Sequence, residues 1–247
     1  PPRSTQIARR QRQMCIRDSR NGDLYPTHGV GPIAKMLDIN KGNRFISLVS
    51  MSSKSRGLHD YAVKQLGPQH TEYATEFAQG DITTTMLKCA HGETVLLIHD
   101  CSLPRPYSRG QRVQGTLGIW MEDKNALHFD DFPGEEWADM ARYLEEYEHP
   151  VWKDFIADGV QGGHEGMDYL VQRAFIESIK QGSQPPIAVY DSVAWMAITT
   201  LSEQSIACGS QPLAFPDFTN GKWIVTRPKA ESYWSLDGIY TGGRSEA

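Results

Sequence analysis

The 247-residue sequence has no long apolar run, no excess of positive charge, no glycine-rich phosphate cradle and no cysteines at metal-ligand spacing. Each absence closes a class. A membrane-spanning helix needs about 20 consecutive apolar residues, so none is expected. A net charge of −5 argues against nucleic acid as the main partner. Cys15, Cys89, Cys101 and Cys208 lie too far apart for a zinc site and read as free thiols, which leaves the compartment open. A hairpin turning at Gly92-Glu93 would set Cys89 opposite Leu96 and Cys101 opposite Thr84, pairing neither with the other. No G-x-G-x-x-G lies between a strand and a helix. The glycine-rich stretch at 159–163 follows a helical pattern and reads as a loop. Internal repeats and low-complexity segments are absent.

What remains is ordinary in bulk. With 39% hydrophobic and 22% charged residues, the chain can bury a substantial core, as one large domain or one domain with extensions. Residues 1–19 stand apart. They carry Arg3, Arg9, Arg10, Arg12 and Arg17, no aromatic residue and almost no apolar periodicity. No apolar centre makes them a signal peptide, and no aromatic interleaving makes them a nucleic-acid arm. Residues 12–19 resemble a translated adaptor of the kind found at the ends of metagenomic gene fragments. The arm is therefore expected to be foreign and disordered, with the native domain at 20–247.

From there the pattern predicts an α+β fold, an open and largely antiparallel sheet backed by helices on one face. A short helix is expected at 32–39, a strand at 44–51 and a helix at 58–66 stopped by Gly67-Pro68. A hairpin follows over 81–102, rich in β-branched Thr83, Thr84, Thr85, Val95 and Ile98. Two further strands, 112–121 and 126–130, are joined by the turn at 122–125. Residues 137–157 are acidic and aromatic. Their rings could line a sugar subsite, but packing of an amphipathic helix broken at Pro150 is the commoner cause and is the expectation. Helices follow at 164–181 and 189–207, with Asp191 as N-cap of the second. Beyond Pro212 only Trp223-Ile224-Val225 suggests structure, and the tail is expected to wrap the surface.

Chemistry concentrates in two stretches. Asp23-Leu24-Tyr25-Pro26-Thr27-His28-Gly29-Val30-Gly31-Pro32 sets a phenol and an imidazole three residues apart, with Pro26 biasing Tyr25 to an extended backbone. Gly29 and Gly31 would let the chain turn, and Pro32 suits a first helical turn. Tyr25 and His28 would then feed a helix N-terminus, where imidazole can move protons near neutral pH. A helix-entry pair that merely satisfies hydrogen bonds is the plainer alternative. The second stretch, 103–109, leaves the sheet at Pro104 and Pro106. Its Arg105 and Arg109 could hold hydroxyls, an acetamido carbonyl or phosphate, and Tyr107 could stack on a sugar. A salt-bridged surface loop is the plainer alternative on the residues alone. His164 and Asp168 share a helix's first turns, with no third metal ligand evident.

Tyr25-Pro26-Thr27-His28-Gly29-Val30-Gly31-Pro32 resembles a motif of glycoside hydrolase family 109, the NAD-dependent α-N-acetylgalactosaminidases. So do Val49-Ser50-Met51-Ser52-Ser53, the stretch from Ser102 to Arg109, Gln114-Gly115-Thr116-Leu117-Gly118, and Gly163-His164-Glu165-Gly166-Met167-Asp168. They run in family order over roughly residues 20–240, with Glu165 departing from a more usual glycine.

The resemblance implies the substrate domain of an oxidoreductase of the glucose–fructose oxidoreductase and inositol dehydrogenase group, lacking its NAD-binding Rossmann domain. It implies hydrolysis of terminal α-N-acetylgalactosamine by oxidation, elimination, addition and reduction with NAD. His28 would do acid/base work. Substrate contacts would come from Tyr25, Pro26, Thr27, His28 and Tyr107, with Arg105, Arg109 and His164 as further candidates. It also implies a homo-oligomer through the open sheet face, and export by a signal outside this stretch. Two alternatives remain open: a sugar or inositol dehydrogenase of the same group, and a non-catalytic carbohydrate-binding or oligomerisation module.

Overall fold

The computed structural model describes residues 16–100, 102–157, 159, 163–225 and 233–237. They fall into two compact units, divided at Pro106/Tyr107 and again at Val189/Tyr190, with 233–237 grouped in the second. In chain order the elements are α1 (Thr27–Met36), β1 (Phe45–Ser52), α2 (Gly57–Tyr61, continued by a π-helical turn over Ala62–Leu66), β2 (Ile82–Cys89) and β3 (Thr94–Asp100). Then come β4 (Arg112–Gly115), β5 (Gly118–Met121), β6 (Ala126–Phe129), β7 (Ala138–Asp139), α3 (Ala141–Tyr147), α4 (Pro150–Ala157) and α5 (Met167–Gln181). Helix α6 (Val189–Ala207) and β8 (Leu213–Ala214) complete the first unit.

The α+β, antiparallel expectation holds, with the strands shared between two four-stranded sheets, β3-β2-β1-β8 and β4-β5-β6-β7. In the first sheet, strict alternation along β2 and β3 puts Thr83, Thr85, Leu87 and Cys89, and Val95, Leu97 and His99, on one buried face. That face meets Val30 and Ala34 of α1 and Ala194, Trp195 and Ile198 of α6. Phe45, Leu48, Leu87 and Ile198 are almost wholly buried there. Each contributes about 1.5–3 kcal/mol, so this layer holds the unit together. On the opposite face Ile46, Met51, Met86, Leu96 and Ile98 are all exposed.

Several boundaries differ from the sequence reading. Helix α1 starts at Thr27, not at residue 32, and Pro32 lies inside it. Gly29 and Gly31 do not turn the chain; they let the helix approach its neighbours. A Cβ on Gly31 would sit 3.3 Å from the Trp195 ring, and one on Gly29 would sit 3.3 Å from Leu97. The stretch at 112–121 is two strands, because Gly115-Thr116-Leu117-Gly118 folds back on itself and pairs Gly115 with Gly118. The hairpin turn centres on His91, so Leu96 faces Met86 and Thr84 faces Ile98. Cys89 instead meets Glu93, whose carbonyl accepts its N–H at 2.9 Å. Left-handed Gly92 (φ 105°) permits this tighter closure.

Asp191 is not an N-cap. It lies within the first turn of α6, buried, with Oδ2 2.7 Å from Nζ of Lys35 in the last turn of α1. Cys89 is a buried free thiol and Cys208 an exposed one; Cys15 and Cys101 lie outside the described residues.

Residues 16–19 correct the expected arm. Arg17 is 2% exposed, its carbonyl accepts from Gln79 N–H at 3.0 Å, and the Asp18 carbonyl accepts from Ala78 N–H at 3.3 Å. Residues 1–15 lie outside the described residues, as do 226–232 and 238–247, where the tail was expected to wrap the surface. The packing expected of 137–157 holds only in part. Phe155 is buried between stacked Trp152 and Tyr169, whereas Trp137 and Tyr147 stay exposed.

Candidate active site

The segment leading into α1 is pinned from three sides. Arg20 makes a two-pronged ion pair with Glu203, at 2.6 and 2.7 Å. Asn21 Oδ1 accepts from Ser52 Oγ at 2.7 Å and from Gly80 N–H at 3.1 Å. Gln79 spans Gly22, accepting its N–H at 3.3 Å and donating to its carbonyl at 3.0 Å. Gly22 has no room for a side chain, since a Cβ would lie 2.5 Å from Glu203 Cγ and 2.9 Å from Ser202 Oγ. Asp23 then donates its own N–H to Ser202 Oγ at 2.8 Å. The Asp23 carboxylate accepts the N–H of Tyr25. Such an anchored backbone fixes where the next side chains start, which a site on a mobile loop could not do.

Pro26, buried and in the right-handed helical region (φ −73°, ψ −22°), receives the first helical bonds, from Gly29 and Val30. Tyr25 and His28 stand just outside and just inside the helix start. Both are exposed, with ring centroids 4.7 Å apart and planes tilted by 35°. The pair therefore presents a phenol and an imidazole together. Thr27 begins the helix, and no side chain caps its N-terminus. Pro32 has no N–H to give to the His28 carbonyl one turn back.

Beneath this pair lie two residues that received no role from the sequence. Asp23 and His99 are 2% and 7% exposed, with Oδ1 and Nδ1 3.8 Å apart. Burial pushes the Asp23 carboxyl up to about 6, partly opposed by the Tyr25 N–H bond. Burial, together with the nearby Arg17 guanidinium, pulls His99 down to about 4. Near neutral pH the imidazole is therefore uncharged, and the contact is not an ion pair despite its distance. The His99 Nε2 is buried without a hydrogen-bond partner among the described residues. The signal was present in the alternation Val95, Leu97, His99, which puts a histidine on an inward face.

The remaining candidates fall elsewhere. Arg105, in the first unit, is held by Asp100 at 2.9 Å and donates to the carbonyls of Asp100 and Pro106. In the second unit, Tyr107 is 83% exposed and its hydroxyl accepts from Arg109 Nε at 3.2 Å. His164, exposed at a strained φ of 51°, pairs with Asp168 at 2.8 Å. The structure thus brings Tyr25 to His28, Arg109 to Tyr107 and His164 to Asp168, each within one unit. No group of three or more metal-ligating side chains forms among the described residues. Nor do the described residues fit a dinucleotide. Both sheets are antiparallel, and no glycine-rich turn links a parallel strand to a helix as a pyrophosphate cradle requires.

Fold and site together define an α+β protein whose helix-bearing sheet presents an anchored tyrosine–histidine pair. Comparison with known proteins makes this specific. Residues 3–225 match the model "Glycosyl hydrolase 109, C-terminal domain", and the chain belongs to glycosyl hydrolase family 109. A glycosyl hydrolase family 109 protein of Stenotrophomonas maltophilia (strain K279a) is 48% identical over 90% of this chain and 48% of its own length. An α-N-acetylgalactosaminidase of Tannerella forsythia is 46% identical over 85% of this chain and 45% of its own. The chain spans about half the length of these curated relatives. An inositol dehydrogenase homolog from Azotobacter vinelandii, solved with NADH and myo-inositol, covers 81% of this chain and 51% of that one. At 17% identity and a TM-score of 0.49, that likeness is too slight to carry an inference.

Proposed function

We propose that the protein to which this chain belongs hydrolyses terminal α-N-acetylgalactosamine from glycans or glycosides with NAD as cofactor, and that this chain supplies the substrate-handling surface. The observation behind this reading is the Tyr25–His28 pair, ring centroids 4.7 Å apart, on a backbone anchored through Asp23. His28 moves the proton, imidazole being the side chain best suited to acid–base work near neutral pH. Tyr25 offers its hydroxyl to the sugar, while Pro26 and Thr27 set the backbone that aims both rings. In the second unit, Tyr107, whose hydroxyl accepts from Arg109, is a substrate contact of its own. Arg105 is neutralised by Asp100 and so serves to shape its loop. His164, oriented by Asp168, is a further sugar contact.

NAD, when bound, would supply the hydride transfer and would be held by residues other than those described. Self-association through the open face of the first sheet belongs to the same proposal, because five large apolar side chains there are exposed. The test is an aryl α-N-acetylgalactosaminide given to the full-length protein with NAD⁺. Release of aryl alcohol without net NADH supports the glycosidase. Accumulating NADH with intact glycoside would replace it with a dehydrogenase.

A further inference from the structure

The aromatic segment that only partly packs leads to a second site. In the second unit, α4, α5 and residues 233–234 line a half-open cavity of about 380 Å³. Phe155 and Tyr169 form part of its wall as near-parallel rings, 6.0 Å apart and tilted by 24°. Tyr233 and Trp234 add a perpendicular pair. One carboxylate and one guanidinium also line it, Asp154 and Arg173.

Both are held in place, yet neither is used up. Tyr233 donates its hydroxyl to Asp154 Oδ2 at 2.7 Å, so Oδ1 is left to accept. Arg173 donates Nη1 to the Tyr169 hydroxyl at 2.9 Å and lies over the Tyr169 and Trp234 rings, 5.9 and 5.7 Å from their centroids. Its Nε and Nη2 make no bond among the described residues. The cavity thus offers fixed aromatic surface, one planar acceptor and one planar donor, with charges that cancel. Negative ligands gain nothing from that balance, and purely apolar ones would strand both polar groups. A pyranose meets all the requirements. Its C–H edges lie on aromatic rings, and its vicinal hydroxyls donate to a carboxylate while accepting from a guanidinium.

We propose that the cavity bounded by Asp154, Phe155, Tyr169, Arg173, Tyr233 and Trp234 is a binding site for a neutral sugar ring, built from residues other than those of the Tyr25–His28 pair. It goes beyond the proposed hydrolysis and stands whether or not that reaction occurs, because no residue is shared between the two sites.

The experiment uses the 247-residue chain, ¹⁵N-labelled at tryptophan. The Trp234 indole resonance is identified by its loss in Trp234→Phe and followed during titration with N-acetylgalactosamine. A shift saturating with a dissociation constant of about 1 mM is expected, as for weak single-sugar sites. Asp154→Asn and Arg173→Gln should each weaken it about tenfold. Tyr233→Phe, which removes the hydroxyl that holds Asp154 Oδ2, is a gentler second variant should either of those misfold, and it should weaken the binding too. His28→Ala should leave the shift unchanged, which keeps failure here distinct from failure of the hydrolytic site. An indole resonance unmoved at about 20 mM sugar would overturn the proposal. So would a shift retained in folded Asp154→Asn, or one produced by adenosine monophosphate rather than sugar.

Discussion

Nδ1 of His99 lies 3.8 Å from Oδ1 of Asp23, with both side chains buried beneath the start of α1. The two groups are shifted towards their neutral forms, Asp23 up to about 6 and His99 down to about 4. Asp23 also carries the N–H of Tyr25, so the protonation of this pair bears on the site above it.

Stability should therefore depend on pH in a way that only single variants reveal. Between about 4 and 6 the unfolded chain holds one proton on the pair, on His99, whose ordinary value is 6.5. The folded chain also holds one, on Asp23, so the pair gives a flat profile. In Asp23→Asn only the depressed His99 remains, and stability should fall as pH drops from 6.5 towards 4. In His99→Gln only the raised Asp23 remains; its contribution is full below 3.8 and lost as pH rises towards 6. Each slope should amount to at most about 3 kcal/mol across its window. Urea midpoints at stepped pH measure this, and slopes of the same sign in both variants would refute the assignment.

In the full-length protein, His28→Ala should lower turnover by about 10²–10⁴-fold with little change in substrate affinity, because a proton carrier acts mainly in the transition state. Tyr107→Phe should chiefly raise the Michaelis constant, losing one hydrogen bond of about 1 kcal/mol. Steady-state kinetics and a melting curve on the same preparations separate chemistry from folding. Near-normal turnover in folded His28→Ala would remove that residue from the mechanism.

A third expectation concerns Gly22. Alanine there must displace Glu203 and Ser202, which lie 2.5 and 2.9 Å from the added carbon. Overpacking of this kind costs about 1–3 kcal/mol. Calorimetric melting of Gly22→Ala should show a drop of several degrees, and an unchanged melting point would mean that α6 yields freely.

Self-association can be tested on the sheet's open face. Met51→Lys combined with Met86→Lys, both at exposed positions, should shift the protein to a smaller species in sedimentation without lowering its melting temperature. An unchanged sedimentation coefficient would place any oligomer contact elsewhere.

Truncation provides the last check. A chain starting at Arg20 should melt several degrees below one starting at Ile16. Only the longer chain keeps buried Arg17 and the bonds from Ala78 and Gln79. Equal melting temperatures would return residues 16–19 to the arm.

Much of this was legible because it is local. Tyr25 and His28 are three residues apart, and the alternation through β2 and β3 survives intact in the structure. The start of α1 was misread for the opposite reason. Gly29, Gly31 and Pro32 look like chain breakers, and only the nearness of Leu97 and Trp195, supplied by distant sequence, shows that the glycines serve packing. Asp23 and His99 escaped notice likewise, since nothing short of the folded sheet brings them together. The hairpin register slipped because left-handed Gly92 closes the turn around His91. The aromatic spacing over 137–157 does not tell a packed ring from an exposed one; only the fold divides buried Phe155 from exposed Trp137 and Tyr147.

Strand β3 turns Val95, Leu97 and His99 inward and Leu96 and Ile98 outward. Any partner that settles on its outer side therefore leans on a beam whose inner side braces α1 at Gly29 and holds the imidazole under the site. Under the proposed function, assembly and proton transfer would share a wall there, so a substitution at Leu96 or Ile98 would read out in both at once. The other two long strands share that duty: on β1 Ser52 Oγ donates to Asn21 ahead of α1 at 2.7 Å, and on β2 Thr83 Oγ1 accepts at 3.0 Å from the Gln79 amide that clamps Gly22.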